Sequence, residues 1–384
     1  MDPAFPRTHS IAAIRLCAGL ASQGHCVELV VPAVRRPSPP ANELFATYDL
    51  ESNFELRYVP VGRGSGDYDS WTLRRLLARH IQYAVKRHHP DVVISDGIRL
   101  VLPYVARTRA GARRPMTAPW LHEFRDTRIE RLVCANSSCV LATNEAILRD
   151  LSSRGVSNRH TFVTGNPVPR ERVEFGRAHS KAEARERLGL DLDRPVIAYT
   201  GKLFTGMSEL GYLLDAAARM PEALFLLTGG QPPVIERLRA ELREADITNV
   251  RLAGILPNPE ETRYYQQAAD VLVTYYSTDD LPYAYHHLPS KLAEYMATGN
   301  TIVAADYPGV RDLLHPGNAL LVPPHNAASL IQALQLAISS SDEVAALGRV
   351  AQRDIAGLTS ESVAARLGSF LAKQHRLAHE HRRA

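Results

Sequence analysis

The stretch Leu288–Asp306, "LPSKLAEYMATGNTIVAAD", decides how this chain is read. Its first half has helical spacing. Leu292, Tyr295 and Met296 face one side, Ser290 stands where an N-cap belongs, and Gly299 stands where a helix ends. Its second half, "TIVAAD" (301–306), is short, apolar and β-branched, as buried strands are. A helix feeding straight into a buried strand is one step of a βαβ unit. Lys291 and Glu294 both fall in the first helical turn. Glu294 is favoured there, because the positive end of the helix dipole stabilises an acid by ~0.3–1 kcal/mol. Lys291 is not, and an anion bound at the helix start would explain it.

Working outward, the same step recurs along the chain. Residues 195–201, 223–230, 249–257, 270–277 and 319–324 read as further buried strands with helical segments between them. In the first half, 26–32, 91–97, 139–144 and 160–167 read as strands. "SIAAIRLCAGLASQGH" and "WTLRRLLARHIQYAVKRHHP" read as helices closed by Gly and Pro signals. The stretch 170–194 is charged and has no apolar strand, so it reads as an interdomain connection with a short helix in its second half. Two consecutive doubly wound α/β domains follow. The opening "MDPAFPRTHS" looks like the loop after a first strand, without the strand.

Composition narrows the class. The chain has 384 residues, 45% hydrophobic and 22% charged, which suits two folded domains. No run approaches the roughly 18 apolar residues that would span a bilayer, and the first residues lack a secretory apolar core. Cys17, Cys26, Cys134 and Cys139 have no metal or CxxC spacing and read as reduced thiols of a cytoplasmic protein. Net charge is +4, unevenly placed: residues 1–170 carry 23 Lys and Arg against 15 Asp and Glu, the rest 22 against 26. A basic first half fits an anionic partner or a solvated surface equally.

Candidate sites lie at strand ends. Gly201-Lys202 closes "PVIAYTG", where free N–H groups and a cation would meet a phosphate; a plain β-to-α turn fits as well. Gly229 in "LTGGQ" is a similar, weaker sign, and "AGILPN" could read a base. His122 and Asp96 end strands of the first half, where each is open to a structural or a cleft role. The helix 71–89 is basic and amphipathic, fitting an anionic membrane surface or an outer face. No metal spacing, Ser/His/Asp triad or P-loop is present.

Taken in order, "LASQGHCVELVVP", "VIAYTGKL", "NVRLAGILP" and "LPSKLAEYMATGNTIVAAD" resemble the retaining glycosyltransferases of family 4. The resemblance implies an α/β, GT-B fold: two doubly wound Rossmann-like domains facing across a cleft, here with the N-terminal domain lacking its first strand. It implies an acceptor-binding domain over 1–169, a nucleotide-sugar-binding domain over 170–364, and a closing helix over 365–384 packing back toward the first domain.

Roles carry over by position. Glu294 would bind the ribose hydroxyls, and Lys202 the diphosphate. Ser290, Lys291 and Leu292 would form the phosphate-facing helix start. Gly201 and Gly229 would lie under the donor, and Ile255 and Leu256 would flank the base. His122 would contact the donor sugar and, with Lys202 and Lys291, support the transition state. Arg7, His9 and Asp96 would lie on the acceptor side. Two positions depart from the family: His286 stands where a second Glu is common, and Thr205 where the second diphosphate cation is.

The implied reaction moves a sugar from a nucleotide-diphosphate donor to a hydroxyl of a glycan or lipid-linked acceptor, with retention, in polysaccharide or lipid-linked glycan biosynthesis. It implies no metal, no cofactor and no nucleic acid, and a cytoplasmic place with peripheral contact at the inner face of an anionic membrane. A sugar-nucleotide epimerase on the same frame and a non-catalytic nucleotide-sugar-binding relative are the alternatives.

Overall fold

The structure, a computed structural model, describes residues 8–33, 41–47, 50–60, 71–95, 115–203, 208–277, 285–339 and 341–380. The chain divides into two units. One comprises Met1–Pro167 with Ser360–Ala384, the other Val168–Thr359. The helix that the sequence places at 365 starts at Ser360 and runs to Glu380, so residues 360–364 go with the first unit. Among the described residues no helix is long and apolar enough to cross a membrane.

In the first unit the described chain opens with the helix Thr8–Ser22, which already contains His9. Strands β1 (Glu28–Ala33) and β2 (Glu55–Pro60) pair in parallel. Strands β3 (Val92–Ser95), β4 (Met116–Leu121), β5 (Val140–Ala142) and β6 (Thr161–Val163) form a second parallel ladder in chain order. Among the described residues no pairing joins the two ladders. The helix Ser360–Glu380 lies on the first helix closely enough that a Cβ on Gly19 would sit 2.7 Å from the Ala364 methyl. Phe370 of the same helix meets Phe162 of β6, with ring centroids 5.3 Å apart. Leu121, Val140, Ile147 and Leu151 fill the core of the larger ladder.

The second unit is a six-stranded parallel sheet of β7 (Val196–Thr200), β8 (Leu224–Thr228), β9 (Val250–Gly254), β10 (Val271–Thr274), β11 (Thr301–Ala305) and β12 (Leu320–Val322). The spatial order is β12-β11-β10-β7-β8-β9. The chain therefore steps outward from β7 to β9, returns to the other side of β7, and steps outward again. Every residue of β7, β10 and β11 is buried. That is why these strands are continuous apolar runs: helices cover both faces of a parallel sheet. Each buried Val, Ile or Leu contributes roughly 1.5–3 kcal/mol of hydrophobic stabilisation.

The stretch 170–194, expected to carry a short helix in its second half, carries two helices, Arg170–Ala178 and Lys181–Leu188, both inside the second unit. The first packs on Lys291–Thr298 so tightly that a Cβ on Gly176 would lie 2.1 Å from the Ala297 carbonyl oxygen. The second is tied to the sheet by Asp270, just before β10. Its carboxylate accepts from Lys181 Nζ at 2.6 Å, Arg185 Nη2 at 2.5 Å and the Val196 N–H at 2.8 Å. Burial alone would raise this carboxyl; Lys181, the Val196 N–H and Arg185 outweigh it and hold it below its ordinary value.

Candidate functional site

In an open α/β sheet, ligands bind beyond the carboxyl ends of the strands where the order reverses. Here that point lies between β7 and β10. Tyr295 of the helix Lys291–Thr298 floors it. Its ring is fully buried, and its hydroxyl accepts from the Thr200 N–H at 2.9 Å and lies 3.5 Å from the Val273 carbonyl oxygen. One side chain thus bridges the ends of β7 and β10.

The turns after β7, β8 and β9 are stitched edge to edge. Gly201 N–H donates to the Thr228 carbonyl at 3.3 Å, and Gly229 N–H to the Gly254 carbonyl at 2.7 Å. Gly229 has φ +106°, and a Cβ there would lie 1.7 Å from the Gly201 carbonyl oxygen. Only glycine fits. A Cβ on Gly201 would lie 3.1 Å from Lys291 Nζ, so this turn passes directly against the lysine. Ile255 and Leu256 follow Gly254 at the end of β9, with Ile255 exposed.

Lys291 has an anion already, and the chain supplies it. Its Nζ lies 3.6 Å from Glu209 Oε1 and 3.8 Å from the centre of the Tyr199 ring. Glu209 is buried in the first turn of the helix Ser208–Arg219. It also accepts from the Tyr199 hydroxyl at 3.1 Å, the Thr274 hydroxyl at 3.3 Å and the Tyr275 N–H at 3.2 Å. Burial pushes the Lys291 ammonium below the ordinary lysine value, and Glu209 opposes that shift. The awkward cation of the sequence is therefore answered internally, by an acid from the first turn of a different helix.

Ser290 occupies the position before this helix but does not cap it: its backbone is helical (φ −61°, ψ −29°) and its side chain makes no cap bond. Leu292, expected at the donor, has its side chain fully buried in the core. Tyr295, Met296 and the Gly299 cap, at φ +76°, stand as the sequence indicates. Glu294 is half-buried, and its Oε2 accepts from Gln266 Nε2 at 2.9 Å.

Lys202 follows Gly201 with its side chain exposed, and its carbonyl lies 3.3 Å from the Tyr199 hydroxyl. His286 sits in a loop pinned by the Tyr276 hydroxyl on the His287 carbonyl at 3.1 Å and by Gly309 N–H on the Tyr285 carbonyl at 3.3 Å. Thr205 lies outside the described residues.

In the first unit His122 immediately follows β4 and is half-buried, its ring 4.6 Å from that of Trp120. Trp120 Nε1 donates to Thr164 Oγ1 at 3.0 Å. The loop after His122 is held by buried Glu130, whose Oε2 accepts from the Arg125 N–H at 3.1 Å and the Thr127 N–H at 3.2 Å. Arg7, Asp96 and the His9 side chain lie outside the described residues. Among the described residues no group of three His, Cys, Asp or Glu is placed to hold a metal.

Two units in one chain, each a parallel sheet with helices, the second doubly wound, are the parts of a GT-B fold. Solved structures share the fold. Sucrose-phosphate synthase from Thermosynechococcus elongatus superposes with a TM-score of 0.75 at 20% identity, over 96% of this chain and 94% of that one. Anabaena HepE in complex with UDP and glucose superposes with a TM-score of 0.69 at 16% identity, over 96% and 97%.

The family model described as glycosyl transferases group 1 matches residues 194–340, and the glycosyl transferase 4-like domain matches residues 10–167. Between them the two models match most of the chain, so each unit is similar to a glycosyl transferase domain, the second one to group 1. The D-inositol 3-phosphate glycosyltransferase of Thermobispora bispora is 30% identical over 215 residues, 52% of this chain and 48% of that protein. The curated relatives that the chain matches are covered over less than half of their lengths: 37%, 48% and 44%.

Proposed function

We propose that this chain is a retaining glycosyltransferase, moving a sugar from a nucleotide-diphosphate donor to an acceptor hydroxyl in polysaccharide or lipid-linked glycan assembly. One observation carries the reading. At the β7/β10 reversal, the Gly201 and Gly229 turns, Lys291 and Glu294 converge on helix starts and strand ends. Such a place offers N–H groups and a cation to phosphates, and a carboxylate to a diol.

The chemistry follows from what must be stabilised. A departing nucleoside diphosphate gathers negative charge, and fixed cations and N–H groups in a partly dehydrated site stabilise it electrostatically. Lys291 and Lys202 with the Gly201 turn supply those groups. Glu294 holds the ribose; Gln266 takes one of the roughly four acceptor sites of its carboxylate. Ile255 and Leu256 flank the base, and His286 borders the donor sugar; for His122 the family resemblance supports a contact with that sugar. UDP is the first nucleotide to test, since HepE was solved with it. The exposed basic face of the helix Trp71–His88, with Arg79, Lys86 and Arg87, supports an acceptor presented at an anionic surface.

The test is incubation with UDP-, GDP- and ADP-sugars, with and without lipid-linked and glycan acceptors, measuring nucleotide release and the sugar product. Acceptor-dependent release supports transfer. Binding without release in any combination makes the chain a non-catalytic relative, and interconversion of the donor sugar makes it an epimerase.

A further inference from the structure

Glu294 is not oriented by its own helix alone. Gln266, at the end of the short helix Thr262–Gln267, is 1% exposed and has three partners. Its Nε2 donates to Glu294 Oε2 at 2.9 Å and to Thr200 Oγ1 at 2.9 Å. Its Oε1 accepts from Arg172 Nη1 at 3.1 Å. The orientation of this amide follows from chemistry. A guanidinium only donates and a carboxylate only accepts, so the oxygen must face Arg172 and the nitrogen must face Glu294.

Arg172 is itself buried and fixed. Its Nε donates to Glu260 Oε2 at 3.1 Å, and its Nη2 to Thr262 Oγ1 at 2.9 Å. Its charge polarises the Gln266 amide and strengthens the amide as a donor on the far side. The backbone is tied as well: Asn300 Nδ2, just beyond the helix that carries Glu294, donates to the Gln266 and Gln267 carbonyls at 3.0 and 3.2 Å. A relay from Arg172 through the Gln266 amide therefore ends on one carboxylate oxygen of Glu294.

We infer that Gln266, backed by Arg172, is the positioning residue that aims the Glu294 carboxylate at the ribose. The inference rests on the proposed reading of Glu294 as the ribose ligand. Gln266 touches no ligand in this scheme. It fixes which oxygen faces the protein and leaves the other to the diol. It also supplies a neutral donor: a carboxylate in its place would face Glu294 with like charge.

The experiment compares binding of UDP, GDP and ADP with that of their 2′,3′-dideoxy forms by calorimetry, in wild type and in Gln266→Leu and Gln266→Glu. Wild type is expected to prefer the ribose form of its nucleotide by about 10- to 100-fold, as hydrogen bonds to a charged group would give. Both variants should drop that preference below about threefold while binding the dideoxy form nearly as well as wild type does. A purely structural role would weaken both forms together and leave the preference intact, which overturns the inference.

Gln266→Glu has nearly the same shape and keeps a partner for Arg172, so it decides the matter if Gln266→Leu does not fold. The underlying reading fails separately. A wild type that binds none of the three diphosphates, or binds one without preferring its ribose form, removes the Glu294 role and this inference with it.

Discussion

Replacing Glu209 by Gln should make the protein less stable and its grip on a diphosphate tighter. The two effects share one cause. Glu209 Oε1 lies 3.6 Å from Lys291 Nζ, with side chains 7% and 17% exposed. At an effective dielectric constant of about 20, charges at that distance attract by about 4–5 kcal/mol before desolvation is counted. An amide recovers part of this, so free Glu209→Gln protein should lose about 1–3 kcal/mol of unfolding free energy.

A bound diphosphate gives Lys291 a second counter-ion, so the bound protein should lose less. The difference, about 1 kcal/mol, is by linkage a roughly fivefold tighter binding near neutral pH. Urea unfolding measures the first quantity and calorimetric titration with the preferred nucleoside diphosphate the second. Weaker binding by Glu209→Gln at neutral pH would refute the reasoning, because it would mean that Glu209 does not compete for Lys291.

The same pair predicts a pH dependence. The unfolded chain keeps a lysine proton to about pH 10.4, while burial makes folded Lys291 release it earlier. Between those two values the unfolded state holds more protons, so this group's contribution to stability rises with pH. Diphosphate binding runs the other way, since it needs the ammonium, and falls as pH rises through the folded value. Without Glu209 the ammonium loses its main favourable neighbour, so the alkaline loss of binding should begin at lower pH than in wild type.

Three further perturbations test the rest of the frame. Glu294→Ala should weaken nucleotide binding by about 10- to 100-fold with unchanged circular dichroism; equal affinity would remove the ribose assignment. Gly229→Ala forces a methyl to within 1.7 Å of the Gly201 carbonyl oxygen at φ +106°, and should cost more than about 2 kcal/mol in urea unfolding. An unchanged midpoint would show that the two turns do not touch. Asp270→Asn leaves buried Arg185 without its charged partner and should cost about 2–4 kcal/mol near pH 7. Folded Asp270 sits below its ordinary value, so its contribution is present above the unfolded value of about 3.9 and is lost as pH falls through the folded one. Stability measured from pH 6 to pH 3 should therefore fall less in Asp270→Asn than in wild type, and parallel curves would contradict the pairing.

The second unit was legible because its sheet is buried on both faces. Its strands are runs such as "VIAYT" and "TIVAA", and such runs announce themselves without any knowledge of neighbours. β2 escaped notice for the opposite reason. Its residues "ELRYVP" mix charged and apolar side chains and end in Pro, and among the described residues the strand pairs only with β1. The stretch 170–194 reads as a connection because it is charged and has no apolar strand, and two of its charges are buried. Arg172 and Arg185 point inward, and their partners, Glu260, Gln266 and Asp270, lie more than 80 residues away. Composition counts an arginine; it does not say whether a carboxylate waits for it. The same limit hid Gln266, whose neighbours in "YYQQAAD" offer no motif.

Lys291 shows where this limit bears on function. An unanswered cation at a helix start points outward, to an anion from solution. A cation with Glu209 beside it points nowhere by itself, because its charge is already met. What still favours a phosphate is the cost of that arrangement. The pair removes two charges from water at the strand ends where the sheet order reverses, a place where a neutral apolar pair of similar volume would often be as stable. Retaining it makes sense if the lysine must stay charged, held and ready while the site is empty. Glu209 would then set the resting charge of the site, and Lys291 would change partners when the donor arrives. The opposed shifts expected of Glu209→Gln, lower stability with tighter binding, follow from that exchange and from no purely structural role for the pair.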